Sequence, residues 1–170
     1  DLGIEGVNDE ESLRKEVEAN IKANKDMEEE NKYIDKLLEE VSKNVEVDIP
    51  EEMVNEEVDR LLRRTEQQMA MQGISLDLYY QVTKTTEKDL RDQLEKEAYQ
   101  NVLYRLMLEE IMNMEHIEVS ESDAVEEAKR LAERYNMELD DFLNEFGGIE
   151  MVQYDQEMRK TIELLKELNK

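Results

Sequence analysis

The chain has 170 residues, 39% of them hydrophobic and 40% charged, with a formal net charge of -24. Such a surface repels phosphate backbones and anionic bilayers, which excludes nucleic acid and membrane as partners. Cysteine is absent, so disulfides and thiol chemistry are excluded, in keeping with a reducing, cytoplasmic setting.

A chain this rich in charge predicts an all-α, elongated body with a narrow core. No apolar run approaches spanning length, and the start Asp1-Leu2-Gly3-Ile4 does not read as a signal peptide. The five glycines are Gly3, Gly6, Gly73, Gly147 and Gly148. Glycine is costly inside a helix and useful at its C-terminal end, so these positions punctuate the chain. The first helix is expected from about Glu10 to Ser42, capped by Asn8 or Asp9. Its apolar residues are Leu13, Val17, Ile21, Met27, Ile34, Leu37, Leu38 and Val41, sparse in the middle, which predicts a partly solvated central stretch. Val45, Val47 and Ile49 then alternate with Glu46 and Asp48 in a short extended piece that runs into Pro50, the only proline. Proline fixes φ and lacks the N–H that a helix start leaves unpaired, so a second helix starts there.

The stripe of that helix is Val54, Val58, Leu61, Leu62, Thr65 and Met69, and Gly73 caps its end. A short helix capped by Ser75 follows, unusually apolar for a connection: Ile74, Leu76, Leu78, Tyr79, Tyr80 and Val82. Thr86 and Asp89 make a capping-box pattern for the third long helix. Its stripe widens toward Leu103, Met107, Ile111 and Met114, so it is expected to be buried on more than one side. A second extended linker, Ile117 to Val119, leads to a helix capped by Ser120, with Ala124, Val125, Ala128, Leu131, Ala132 and Tyr135 as its stripe and Asn136 as its left-handed end. Leu139, Phe142, Leu143 and Phe146 form a short helix closed by Gly147-Gly148. The last helix carries Met151, Val152, Met158, Ile162, Leu165 and Leu168.

Catalytic chemistry has little to stand on. His116 is the only histidine, so a histidine pair for catalysis or metal binding is out of reach, and a lone histidine past a helix end reads as a capping or surface residue. The acidic pairs lack calcium-loop spacing, and there is no glycine-rich phosphate loop. No enzyme activity, metal or cofactor is expected. Methionine stands out instead, with ten residues. Its unbranched, polarisable side chain fits varied apolar shapes and is overused on promiscuous binding surfaces. The candidate polypeptide-contacting residues are Met69, Met71, Ile74, Leu76, Leu78, Tyr79 and Tyr80 at the helix-turn junction, and Met107, Met112 and Met114 at the end of the third long helix.

The run Val45-Glu46-Val47-Asp48-Ile49-Pro50-Glu51-Glu52-Met53-Val54, with Glu57-Val58-Asp59-Arg60-Leu61, resembles the VxVPxxLVxxEIDRL signature of trigger factor, the ribosome-associated bacterial chaperone. Gln67 to Leu76 is similar to that family's QGIxLexY segment, Thr83 to Arg91 to its TgkteeeLR segment, and Leu108-Glu109-Glu110-Ile111 through Ser120 to LeeIAkkEgIeVsdeE. Glu11 to Val17 is similar to the eeLRxxi that follows the isomerase domain. Where the family has Lys-Ala-Glu-Gly, this chain has Asn113-Met114-Glu115-His116. The resemblance implies the C-terminal chaperone domain over 1–170, an all-helical body with protruding arms. The family's ribosome-docking and prolyl isomerase domains are expected to be absent. It implies ATP-independent binding of unfolded or nascent polypeptides, ribosome contact only through the missing domain, and at most a weak homodimer. Two other readings stand beside it: a structural helical spacer with every Met and Tyr in a core, and the helical domain of a parvulin-type periplasmic export chaperone.

Overall fold

A computed structural model describes residues 9–169. Among these residues the chain forms seven helices and no strand, an all-α fold. The expected cap at Asn8, and Gly3 and Gly6, lie outside the described residues. The chain divides into two compact units between Lys43 and Asn44. The first holds α1 (Glu10–Ser42), along which Val17, Ile21 and Met27 are exposed, as the sparse central stripe predicts.

In the second unit, α2 (Glu51–Met71) and α4 (Glu87–Met114) form the principal helix pair. Pro50 is the residue before α2 rather than its first helical residue. Its ψ of 139° is extended, and its carbonyl still accepts the first helical bonds, from the N–H groups of Met53 and Val54. Val54, Val58 and Leu61 of α2 meet Ala98 of α4, with Ile49 and Leu94 packed alongside. The pair is antiparallel: Asp59 bonds Arg91 at 2.6 Å, while Glu57, earlier in α2, accepts from Asn101, later in α4, at 2.9 Å.

The turn of this hairpin is α3 (Leu76–Thr83). Gly73 sits one residue past the α2 cap, Gln72, with φ +75°. The Gly73 N–H reaches the Ala70 carbonyl and the Ile74 N–H reaches that of Met69, the paired bonds that close a helix through a left-handed residue. The Ser75 side chain accepts from the Leu78 N–H, and Thr86 and Asp89 complete both halves of the capping box.

α4 also packs on α7 (Ile149–Leu168), so it is covered on two sides, as its broad stripe predicts. The Tyr154 hydroxyl of α7 donates to Glu109 at 2.6 Å. The linker between α4 and α5 (Glu121–Arg134) is held by α7: the Val119 N–H donates to Glu157 and its carbonyl accepts from Gln153. A second core joins α5, α6 (Leu139–Phe146) and α7 through Ala128, Leu131, Ala132, Phe142 and Val152. The small alanines let the helices approach closely. Asn136 has φ +52° and ends α5 as expected, and His116 takes the same conformation after α4.

Candidate functional site

Three apolar surfaces lie open on the second unit. The first is the hairpin turn, where α3 has no buried residue at all. Met71 is 82% exposed and Val82 72%, and Ile74 and Leu78 are exposed beside them. Met69, Leu76, Tyr79 and Tyr80 are half-buried. The Tyr79 and Tyr80 rings meet edge to face with centroids 5.8 Å apart. The hydroxyl of Tyr80 is buried and makes no hydrogen bond among the described residues. Burial pushes its pKa up, and the carboxylates of Glu87, Asp77 and Glu66 push it the same way. The seven residues expected here share this end of the hairpin. Val82, one helical turn past Leu78, belongs with them; the same i, i+4 spacing in the sequence signals it.

The second surface is a groove of about 550 Å³ between the segment before α2 and the C-terminal half of α4. It is lined by Val45, Val47, Leu106, Met107, Ile111 and Met114, with Glu46 and Glu110 among the lining residues. Met114 is 67% exposed, whereas Met107 is 3% exposed, so the two methionines belong respectively to the surface and to the packed interior of the same groove. Met112 is half-buried and does not line it. The sequence marks the valines only as a junction, because alternation in so short a run says nothing of what faces it.

The third surface has no counterpart among the candidate residues of the sequence. Helical periodicity places Tyr135 in the buried stripe of α5, but it is the residue that ends α5 and is 62% exposed. There the helix has ended, and the ring lies against that of Phe142 with centroids 6.5 Å apart. Phe142 stacks in turn on Phe146 at 5.3 Å. With Leu131, Met137, Glu145 and Arg159 these rings line a groove of about 330 Å³.

The polar groups nearby hold helices together. Glu57 is buried yet charged: burial raises its pKa, and hydrogen bonds from Arg60 and Asn101 outweigh it, so the carboxyl sits below its usual range. The Tyr154 phenol is pushed up to about 12 by burial and by its hydrogen bond to Glu109. Among the described residues no group of carboxylates and histidine has the arrangement of a metal site, and no helix is long and apolar enough to cross a membrane.

The family model described as bacterial trigger factor protein (TF) C-terminus matches residues 10–167. The chain belongs to the trigger factor family. It is 35% identical over 155 residues to the trigger factors of Bacillus thuringiensis (strain Al Hakam) and Bacillus cereus (strain B4264), covering 91% of this chain. It spans 36% of the length of those trigger factors. No solved structure matches it.

Proposed function

We propose that this trigger factor domain is an ATP-independent chaperone module that holds unfolded or nascent polypeptide segments on its exposed apolar surfaces. The observation that carries the reading is α3: a helix of eight residues, five of them Leu, Tyr or Val, with none buried. A structural spacer has no use for such a helix, since burying its side chains would add to stability. Membership of the family supports the same reading.

The energetics suit reversible holding. A fully buried Leu, Val or Met side chain contributes roughly 1.5–3 kcal/mol. Three or four partial burials supply at most about 8 kcal/mol before the cost of ordering the client, so one surface alone binds no tighter than micromolar. Release at that affinity needs no fuel. Separate surfaces on one unit add avidity for long clients, and the acidic exterior keeps the loaded domain soluble while favouring neutral or basic segments.

The test is aggregation of a chemically denatured reporter enzyme diluted into buffer, followed by light scattering. Molar excess of this chain is expected to suppress scattering in a dose-dependent way. Unchanged scattering at every ratio would contradict the proposal.

A further inference from the structure

We propose that residues 45–48 form a docking edge to which an extended polypeptide adds as a strand, its alternate apolar side chains entering the groove against α4. The inference rests on the polypeptide-binding reading above and specifies how one of its surfaces works.

Three observations meet at this segment. The first is backbone chemistry. Residues 45–48 lie in neither helix nor strand, and among the described residues their N–H and C=O groups have no hydrogen-bond partner. Glu46, Val47 and Asp48 are exposed, so these groups are open to an incoming chain. An unpaired, extended edge of this kind is a template for strand addition, in which main-chain bonds give affinity and pockets select alternate side chains.

The second is the course of the chain. Residues 45–50 make no helix, turn or bend, and Pro50 keeps Ile49 out of the helical region, so the segment runs extended along the groove that Val45, Glu46 and Val47 line. Leu106, Ile111 and Met114 line it from α4, with Met107 packed beneath the surface. The groove's volume of about 550 Å³ lies in the range that accepts a few side chains of a ligand.

The third is charge, and it selects the occupant. Glu46 and Glu110 line the groove and Asp48 follows on the same segment; none of the three forms an ion pair among the described residues, and no basic residue lines the groove. A second copy of this chain would bring its own Glu46 and Asp48 to the edge, and like charges across a strand pair are destabilising. The occupant is therefore a segment that alternates apolar and basic residues. Its apolar side chains face Leu106, Ile111 and Met114, and its lysines or arginines lie along Glu46, Asp48 and Glu110.

The probe is the capped peptide Lys-Leu-Lys-Val-Gln-Leu-Lys-Val-Lys, dye-labelled and titrated with the 170-residue chain by fluorescence anisotropy. It is followed by a series in which each backbone amide in turn is N-methylated. Strand addition predicts a two-residue alternation: methyls on amides facing residues 45–48 weaken binding about fivefold each, equivalent to ~1 kcal/mol, and those between are tolerated. Amide exchange at Val45 and Val47 is expected to slow in the complex. Met114→Ser, on an exposed side chain, is expected to weaken the parent peptide about three- to tenfold without loss of melting temperature. If the peptide binds with no alternation and no protection at Val45 and Val47, strand addition is overturned while the chaperone reading stands. Strand addition is likewise overturned if the peptide fails to bind but the chain still suppresses aggregation. If aggregation is not suppressed either, the failure lies with the chaperone reading itself.

Discussion

Replacing His116 by glycine is expected to stabilise the protein, an uncommon direction for a single substitution. His116 has φ +52° and follows Glu115, the cap of α4. Its N–H reaches the Asn113 carbonyl, and the Ile117 N–H reaches that of Met112 at 3.0 Å. The helix end thus requires a left-handed residue here, as it does at Gly73 and Asn136. An L-residue in this conformation costs about 1–2 kcal/mol through its Cβ. Glycine avoids that cost but gives up roughly 0.5–1 kcal/mol in the more mobile unfolded chain. The difference leaves about 0.5–1 kcal/mol in favour of His116→Gly, or roughly 1 to 4 °C in Tm for a chain of this size. Gly73→Ala is the internal control with the opposite sign. A Cβ at Gly73 meets nothing within 4 Å, so its cost is backbone conformation alone, about 1 kcal/mol. Thermal unfolding followed by circular dichroism at 222 nm reads both. A His116→Gly protein that melts below the wild type, while Gly73→Ala also melts lower, would refute the assignment of strain to His116.

Other outcomes are equally definite. Met71→Ser and Val82→Ser, both on exposed side chains, are expected to move Tm by less than about 2 °C, because surface substitutions usually stay within ~0.5 kcal/mol. Combined, the pair should weaken binding of an unfolded client about thirtyfold, each lost apolar contact being worth roughly a kcal/mol; a matching loss of stability would mark them as core. Glu57→Gln removes the charge from bonds to Arg60 and Asn101, and about 1.5–3 kcal/mol in urea unfolding at pH 7 is the expected loss. Because the folded carboxyl sits below its ordinary value, its contribution is complete above the unfolded pKa and fades as pH falls through the folded one; the Gln variant should show a flatter acid limb. The Tyr154 phenol, raised to about 12 when folded, contributes fully below pH ~10 and loses that contribution as pH climbs toward 12. Tyr154→Phe should therefore cost about 1 kcal/mol at neutral pH and flatten the alkaline limb.

Element boundaries are legible in the sequence because they are written in local chemistry. Ser75, Thr86 with Asp89, and Ser120 each accept the backbone N–H that their position predicts. Gly73 and Asn136 take the left-handed conformation that ends a helix. Pro50 stands one residue before the first helical position, and Gly73 follows the α2 cap rather than forming it, since the sequence does not distinguish a cap from its neighbour. The hairpin-turn patch is legible too, as an excess of Leu and Tyr where a connection would be polar. Exposure of individual residues is not. Met107 and Met114 lie on one helix in the same kind of sequence, yet one is buried and the other open. The difference depends on which elements cover each part of α4, and those contacts join residues far apart in the chain. Tyr135 departs from its periodicity for a local reason: Arg134 is the last helical residue, and helical spacing places no residue beyond it, even though Asn136 marks the end.

The most direct measurement follows the ten methionine methyls by NMR as an unfolded client peptide is added. Met71 and Met114 are predicted to shift together and to saturate at micromolar concentration. Met27 serves as the control: it is similarly exposed, but its neighbours on the helix surface, Ala23, Asn24, Glu30 and Asn31, make no apolar patch, and it should stay in place. Unmoved Met71 and Met114 signals, under conditions where the chain suppresses client aggregation, would contradict the placement of polypeptide binding on these surfaces.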